Sequence, residues 1–270
     1  MPELPEVETI RQSLSKLIVG KKIQRIELRY PKIVKTDKEY FIQNLINQKI
    51  VSIERKGKHL FIVFDKDVLL IHLRMEGRFY LKEKRSIPSK HEHVIFYLTN
   101  DQILTYHDVR KFGTMHVYPK DSYQQIEPYQ SIADEPWQQD PSVFFEKIHT
   151  KNTEIKGLLL DQRIISGLGN IYVDETLFHA RIHPRRKGID ITKDEAKRLI
   201  ESACYILEKA IQLGGTTIRT FEAMEGIHGR FQNELCVHTK KGQPCLICGH
   251  EIQKIKVKGR GTYVCPNCQT

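Results

Sequence analysis

Ile50-Val-Ser-Ile-Glu-Arg-Lys-Gly-Lys-His-Leu-Phe-Ile-Val-Phe-Asp-Lys-Asp-Val-Leu-Leu-Ile-His72 contains three short runs of one kind. Residues 50–55, 59–64 and 68–72 are rich in β-branched and aromatic side chains. Lys56-Gly57 and Asp65-Lys66-Asp67 are turn signals between them. Similar runs flank this stretch at 23–30, 94–98 and 103–107, the last two separated by Thr99-Asn100-Asp101. Strands this short, joined this tightly, predict an antiparallel sandwich or barrel. Ahead of them, Val7, Ile10, Leu14, Leu17 and Ile18 recur at helical spacing, and Gly20 follows, so 3–19 is expected to be a helix.

The pattern changes after residue 118. Pro119, Pro128, Pro136 and Pro141 lie among polar residues, as in a linker or ordered crossover. Helical patterns then cover 141–148, 154–165, 170–180 and 192–213. Thr192 with Glu195 forms a capping box, and Gly214-Gly215 ends the last helix. Residues 216–233 make a long Gly-containing loop of the kind that is often functional. The expected class is therefore α+β multidomain: a sandwich with flanking helices over 1–130, a linker over 131–141, a helical domain over 142–235 and a small module over 236–270.

With 270 residues and 40% hydrophobic content, the chain can bury a sizeable core in one or two domains. A formal charge of +10 and a pI of about 9.2 favour polyanionic partners, nucleic acid first among them. The start, Met1-Pro2-Glu3-Leu4-Pro5-Glu6, is acidic and proline-rich, unlike a secretory leader, and no apolar run approaches the ~20 residues of a membrane span. A soluble, intracellular protein is expected. The six cysteines agree, because four of them form two tight pairs instead of a disulfide framework.

Those pairs are Cys245-Leu-Ile-Cys248 and Cys265-Pro-Asn-Cys268. Each places two thiolates on one turn, and two such turns complete a tetrahedron around one structural Zn2+ with no open position. Cys204 lies in a helical pattern and is expected in the core; Cys236 is not needed as a ligand. Between the pairs, Lys254-Ile-Lys-Val-Lys-Gly-Arg260-Gly-Thr262 alternates cationic and apolar residues, as in a hairpin with a basic face. A charge run alone is usually a solvated face. A metal-held hairpin with glycines either side of Arg260 points instead to phosphate contact.

Removal of Met1 before the small Pro2 would leave a secondary α-amine. Such a group titrates near about 7.7–8.0, against about 10.4 for lysine, so roughly a tenth is unprotonated at pH 7. It can act as a nucleophile by the Schiff-base route, with Glu3 and Glu6 near enough to move protons. A plain acidic, proline-containing helix start fits the same residues.

Pro2-Glu3-Leu4-Pro5-Glu6-Val7-Glu8-Thr9 resembles the start of the formamidopyrimidine-DNA glycosylases, bacterial enzymes that excise 8-oxoguanine. The resemblance continues through Gly57-Lys58-His59-Leu60, through His72-Leu-Arg-Met75-Glu76-Gly77 and through Asp108-Val-Arg110-Lys-Phe112-Gly113. Gly167-Leu-Gly169-Asn170-Ile-Tyr172 is similar to the family's helix-two-turn-helix signature, and Gly259-Arg260 through Gln269 to its zinc finger. The chain departs from the family's usual Gly-Pro-Glu-Pro at Ala133-Asp134-Glu135-Pro136, and from Val-Tyr-Gly at Val237-His238-Thr239.

The resemblance implies that Pro2 attacks C1′ of a damaged nucleotide, Glu3 donates a proton as the sugar opens, and Glu6 positions the N-terminus. Lys58 would assist β-elimination, and Arg260 would grip phosphate and serve in δ-elimination. The target base must leave the stack. Met75, Arg110 and Phe112 match the family's void-filling residues; the apolar pair would otherwise read as core. Lys151, Asn170, His72 and His91 match positions at DNA, and Glu76 one at the base; Gly167 and Gly169 would bring N–H groups to phosphate at a helix start. Residues 216–233 correspond to the loop over the flipped lesion. The resemblance thus implies a monomeric, cytoplasmic repair enzyme working at the nucleoid on double-stranded DNA with an oxidised base or abasic site. Two other readings remain open: an endonuclease VIII-like enzyme for oxidised pyrimidines, and a non-catalytic zinc-finger protein that binds DNA.

Overall fold

A computed structural model describes residues 1–216 and 229–270. Most of the expected 216–233 loop, residues 217–228, lies outside the described residues. By internal packing, Met1–Gln130 forms one compact unit with Thr216 and Gly229. Ser131–Gly215 and Arg230–Thr270 form another.

The first unit begins with helix α1, Leu4–Ile18, which buries Leu4, Val7, Ile10, Leu14 and Ile18 completely. Their three- and four-residue spacing puts all five on one face. The chain continues through β1 (Ile23–Leu28), α2 (Lys38–Leu45), β2 (Ile50–Lys56), β3 (His59–Phe64), β4 (Asp67–His72), β5 (Arg78–Glu83), β6 (Glu92–Leu98), β7 (Gln102–His107) and β8 (Thr114–Pro119). Two four-stranded antiparallel sheets result, ordered β1-β6-β7-β5 and β2-β3-β4-β8. The expected antiparallel sandwich is what forms. Leu60, Ile62, Phe64, Leu69, Ile71, Phe79, Phe96, Leu104 and Tyr106 belong to its core.

Strands β3 and β4 are apolar almost without alternation because both of their faces are covered. The face carrying Phe61, Val63, Val68 and Leu70 packs against Tyr123 and Tyr129. Three elements were not expected from sequence. Helix α2 is short and buries only Phe41 and Leu45, so its helical pattern is faint; Asp37 starts it by accepting the Tyr40 N–H at 2.9 Å. Strands β5 and β8 are half-buried, with polar residues breaking the run.

The second unit contains α3 (Pro141–His149), α4 (Ile155–Leu160), α5 (Asn170–His179), α6 (Lys193–Gln212) and the hairpin β9 (Gln253–Val257) with β10 (Arg260–Val264). The capping box of α6 is as expected: Thr192 Oγ1 accepts the Glu195 N–H at 3.3 Å, and the Glu195 carboxylate accepts the Thr192 N–H at 2.9 Å. Gly214 and Gly215, at φ 75° and 81°, stop the helix. Helix α4 ends five residues short of the expected 165. There Asp161 turns the chain, its side chain accepting the Arg163 N–H and its carbonyl the N–H groups of Ile164 and Ile165. Cys204 is half-exposed on α6 instead of in the core. Phe231–Glu234 form a 3₁₀ turn, and Phe231 packs on Tyr172 with ring centroids 5.5 Å apart. Among the described residues, no helix is long and apolar enough to cross a membrane.

Candidate active site and nucleic-acid interface

The N-terminus of α1 concentrates buried acid. Glu3 and Glu6 are 2% and 3% exposed, and Pro2 is buried beside them. A capping box joins the two carboxylates to the backbone: Glu6 Oε2 accepts the Glu3 N–H at 2.8 Å. The other oxygen of Glu6 accepts the Thr216 N–H at 2.7 Å and the Thr216 hydroxyl at 3.0 Å. Glu6 therefore ties the helix start to the residue where the 216–233 segment begins. Two buried carboxylates next to Pro2 are groups that can exchange protons. Spacing in the sequence suggested Glu6; its grip on Thr216 was not legible there, since the two are far apart in the chain.

Lys58 is 6% exposed and sits in the two-residue turn between β2 and β3. Gly57, at φ 56°, takes the first central position, which a type II′ turn reserves for glycine. His59 and His72 face each other across β3 and β4, with ring centroids 4.6 Å apart and edge to face. His72 Nδ1 accepts the Arg74 N–H at 3.0 Å. Burial first, then the cations Arg74 and Lys58, pull His59 down to about 4. Burial, then His59, Arg74 and Lys58, pull His72 down to about 2. Both rings are therefore held neutral near pH 7.

The unfolded chain protonates these two histidines near 6.5 while the folded chain does not, so stability present above that value is lost as pH falls toward 4 and below. Each contributes a slope of about 1.4 kcal/mol per pH unit while only the unfolded form titrates. Urea melts at pH 7 and pH 5 should show this loss, and a His59→Gln/His72→Gln chain should show a smaller one.

Met75, Arg110 and Phe112 all lie at the surface. Met75 and Phe112 are 38% and 52% exposed, which places them outside the core despite their apolar character. The Arg110 guanidinium lies 4.8 Å from the centre of the Phe112 ring. Asp108, completely buried, builds the loop beneath them. Its carboxylate accepts the Arg110 N–H at 3.0 Å and the Gly113 N–H at 2.8 Å, and its carbonyl pairs with His93 Nε2 at 2.8 Å. His91, half-buried, receives the Asp108 N–H on its carbonyl. Tyr106 completes the support. A Cβ at Gly113 would stand 1.7 Å from the Tyr106 hydroxyl, and one at Gly77 would stand 2.3 Å from it. The loops carrying Met75 and Phe112 thus close on one buried phenol. Glu76, half-buried, lines a 370 Å³ cleft with Arg78, His107 and Val109.

Gly113→Ala is expected to cost about 1–3 kcal/mol through overpacking and to weaken binding to abasic-site duplex. Adding Tyr106→Phe should recover part of both losses, read by thermal melts and by titration of labelled duplex.

In the second unit, Arg260 and Lys151 are exposed. Arg260 opens β10 just after the Lys258-Gly259 turn, both of whose residues have positive φ, 47° and 73°. Asn170 starts α5, with Gly169 as its N-cap. Its side-chain amide donates to the Gly261 carbonyl at 3.0 Å, one residue beyond Arg260. Asp174, one turn on, is a buried hub. It pairs with Lys156 at 2.7 Å, with neither side chain exposed, and with His238 Nδ1 at 2.8 Å, and it accepts the Tyr263 N–H. The next residue, Glu175, accepts the N–H groups of Cys236, Val237 and His238. Helix α5 thereby holds the hairpin and the turn at Cys236–His238.

The sulfurs of Cys245, Cys248, Cys265 and Cys268 all lie within 4.8 Å of one another, with Cys245–Cys268 at 3.8 Å and Cys248–Cys265 at 3.4 Å. A tetrahedron with Zn–S bonds of ~2.3 Å has edges of ~3.8 Å, so the four thiolates fit one zinc ion. Phe178, Val237 and Ile252 pack around them. Cys236 stands beside this cluster without being a ligand.

Three family models match in order. The formamidopyrimidine-DNA glycosylase N-terminal domain covers residues 1–115, that enzyme's H2TH domain 132–222, and the zinc finger found in FPG and IleRS 242–270. The chain belongs to the formamidopyrimidine-DNA glycosylase family. Curated formamidopyrimidine-DNA glycosylases from Cytobacillus firmus and Mycoplasma mobile are each 44% identical to it, over all of this chain and 100% and 99% of theirs. Among solved structures, a glycine-to-proline mutant of the Lactococcus lactis enzyme bound to Fapy-dG DNA superposes with a TM-score of 0.95 at 44% identity, with both chains fully covered. The Lactococcus lactis enzyme on abasic-site DNA gives 0.94 at 43%, again over both whole chains.

Against other formamidopyrimidine-DNA glycosylases, the Val237-His238-Thr239 departure now has a physical content. His238 supplies a ring nitrogen to Asp174. Thr239 adopts φ 68°, where the family's usual glycine is unstrained. A β-branched residue there costs about 1–2 kcal/mol. Sequence reading missed Asp174, Lys156, Tyr106 and Thr216 as builders of the site. A buried acid and a buried lysine inside helical patterns were the available signal for the first two.

Proposed function

We propose that this chain is a bifunctional DNA glycosylase and abasic-site lyase for oxidised purines in duplex DNA. The observation that carries this reading is the pair of buried carboxylates, Glu3 and Glu6, capping the helix that begins next to Pro2. Once Met1 is removed, the Pro2 nitrogen attacks C1′, and the glycosidic electron pair leaves with the base. Glu3 supplies the proton as the ring oxygen departs, which forms an iminium. The iminium draws electrons from C2′, Lys58 assists loss of the C2′ proton, and the 3′-phosphate leaves by β-elimination. Arg260 grips phosphate and serves the second, δ-elimination. Met75, Arg110 and Phe112 fill the vacated stack, with Arg110 hydrogen-bonding the orphaned base. His72, His91, Lys151 and Asn170 hold backbone phosphates, and Glu76 borders the base. Cys245, Cys248, Cys265 and Cys268 would hold a zinc ion that would supply rigidity alone, because four thiolates would leave no coordination position open.

The charge of +10 suits work on duplex DNA, and the bacterial formamidopyrimidine-DNA glycosylases it resembles support a single-chain enzyme of the cytoplasm. Residues 1–130, 131–141, 142–235 and 236–270 remain our working division of labour between catalysis, linkage, duplex binding and the finger. The substrate assignment is tested by presenting duplexes with 8-oxoguanine or thymine glycol in one sequence context. Faster excision of 8-oxoguanine is expected; faster excision of thymine glycol would move the protein to the endonuclease VIII-like class.

A further inference from the structure

Glu8 lies on α1, one turn beyond the capping box, and is not an unpaired surface acid. Its Oε2 accepts Arg55 Nε at 2.9 Å, and its Oε1 accepts Arg11 Nη2 at 2.7 Å and Gln12 Nε2 at 3.0 Å. Burial alone would raise its carboxyl; the hydrogen bonds from Arg11, Arg55 and Gln12 outweigh that and hold it below the ordinary range. Arg55, on β2, is itself mostly buried, at 9% side-chain exposure. Its Nη1 donates to the Gly57 carbonyl at 3.2 Å. That carbonyl belongs to the central peptide of the turn, the peptide that joins Gly57 to Lys58.

We infer that Arg55, held by Glu8, is a positioning residue that sets the Lys58 amine in register with the N-terminal helix. Two-residue hairpin turns exist in two forms that interconvert by flipping the central peptide. Here Gly57 has positive φ and Lys58 does not. A flip would force Lys58 into the left-handed region and swing its side chain. The guanidinium on the Gly57 carbonyl holds the peptide in the observed form. Its other edge is bound to a rigid helix whose first residues carry Glu3 and Glu6. One planar cation thus spans from the helix start to the lysine turn, and its two donors fix both distance and orientation. Two amines acting on one sugar need to be held to within ~0.5 Å. The inference rests on the proposed roles of Pro2 and Lys58.

The test separates imine formation from elimination. Arg55→Ala, Arg55→Lys and Lys58→Ala chains are given abasic-site duplex, with borohydride trapping and strand cleavage timed in parallel, well below each chain's melting temperature. Arg55→Ala is expected to trap within about three-fold of the parent rate while cleavage slows about ten-fold or more, through kcat with KM little changed. Arg55→Lys keeps a cation for Glu8 but lacks the fork that reaches Gly57, so it should not restore cleavage. It is the variant read if Arg55→Ala fails to fold. A purely structural role would lower trapping and cleavage together, and that result would overturn the inference. So would parental cleavage by Arg55→Lys. If Lys58→Ala itself cleaves at the parental rate, the Lys58 assignment fails, and the Arg55 inference fails with it for that separate reason.

Discussion

A chain that keeps an uncleaved residue ahead of Pro2 will lose base excision and borohydride trapping by at least about a hundred-fold, while binding abasic-site duplex as the processed chain does. The size follows from position and acidity. With Pro2 in a peptide bond its nitrogen has no nucleophilic pair. The α-amine of the retained residue stands one residue further from Glu3 and Glu6, and the lysines have an unprotonated fraction at pH 7 on the order of a hundred-fold smaller than that of an α-amine. Binding survives because the proposed grip on DNA lies elsewhere: in Arg110, Met75 and Phe112 at the surface of the sandwich and in Arg260 on the hairpin. The α1 capping box is built from Glu3, Glu6 and backbone, so it too persists. Intact mass of each preparation gives the processed fraction, and excision rate should scale with it.

Loss of the metal is the second large effect. Cys248→Ser, or chelation, is expected to reduce affinity for abasic-site duplex by about a hundred-fold or more while the sandwich stays folded. The 242–270 finger has a small core, Ile252 and the cysteines themselves, packed against Phe178 and Val237. A segment of that size cannot hold a fold without its metal, whose binding in isolated fingers contributes about 10–16 kcal/mol. Unfolding it releases β9 and β10, so Arg260 loses its turn and Asn170 its Gly261 partner. The sandwich core includes none of these residues. Far-UV dichroism should retain the strand signal and filter binding should fail; unchanged affinity would remove Arg260 from the proposed interface.

The fold was legible where burial is one-sided or complete over a run. The 50–72 stretch, the α1 stripe and the cysteine pairs each carry their structure in their own spacing. Helix α2 and strands β5 and β8 were not legible, because short half-buried elements mix polar and apolar residues without a clean period. Candidate site residues were legible chiefly through resemblance. Bottom-up, Met75 and Phe112 read as core, and only their exposure in the structure separates them from it. The partners of the supporting residues were not legible. Glu6 with Thr216, Arg55 with Glu8, and Asp174 with Lys156 are pairings between distant positions, and a single sequence records no distances.

The proposed nucleophile, the α-amine of Pro2, can be read directly from a covalent bond. The processed protein is trapped with borohydride on 8-oxoguanine duplex, digested, and its peptides are weighed. The reduced sugar remnant is expected on the nitrogen of residue 2, in the peptide running into Glu3 and Glu6. A remnant on Lys58 or any other lysine, with the N-terminal peptide unmodified, would contradict it.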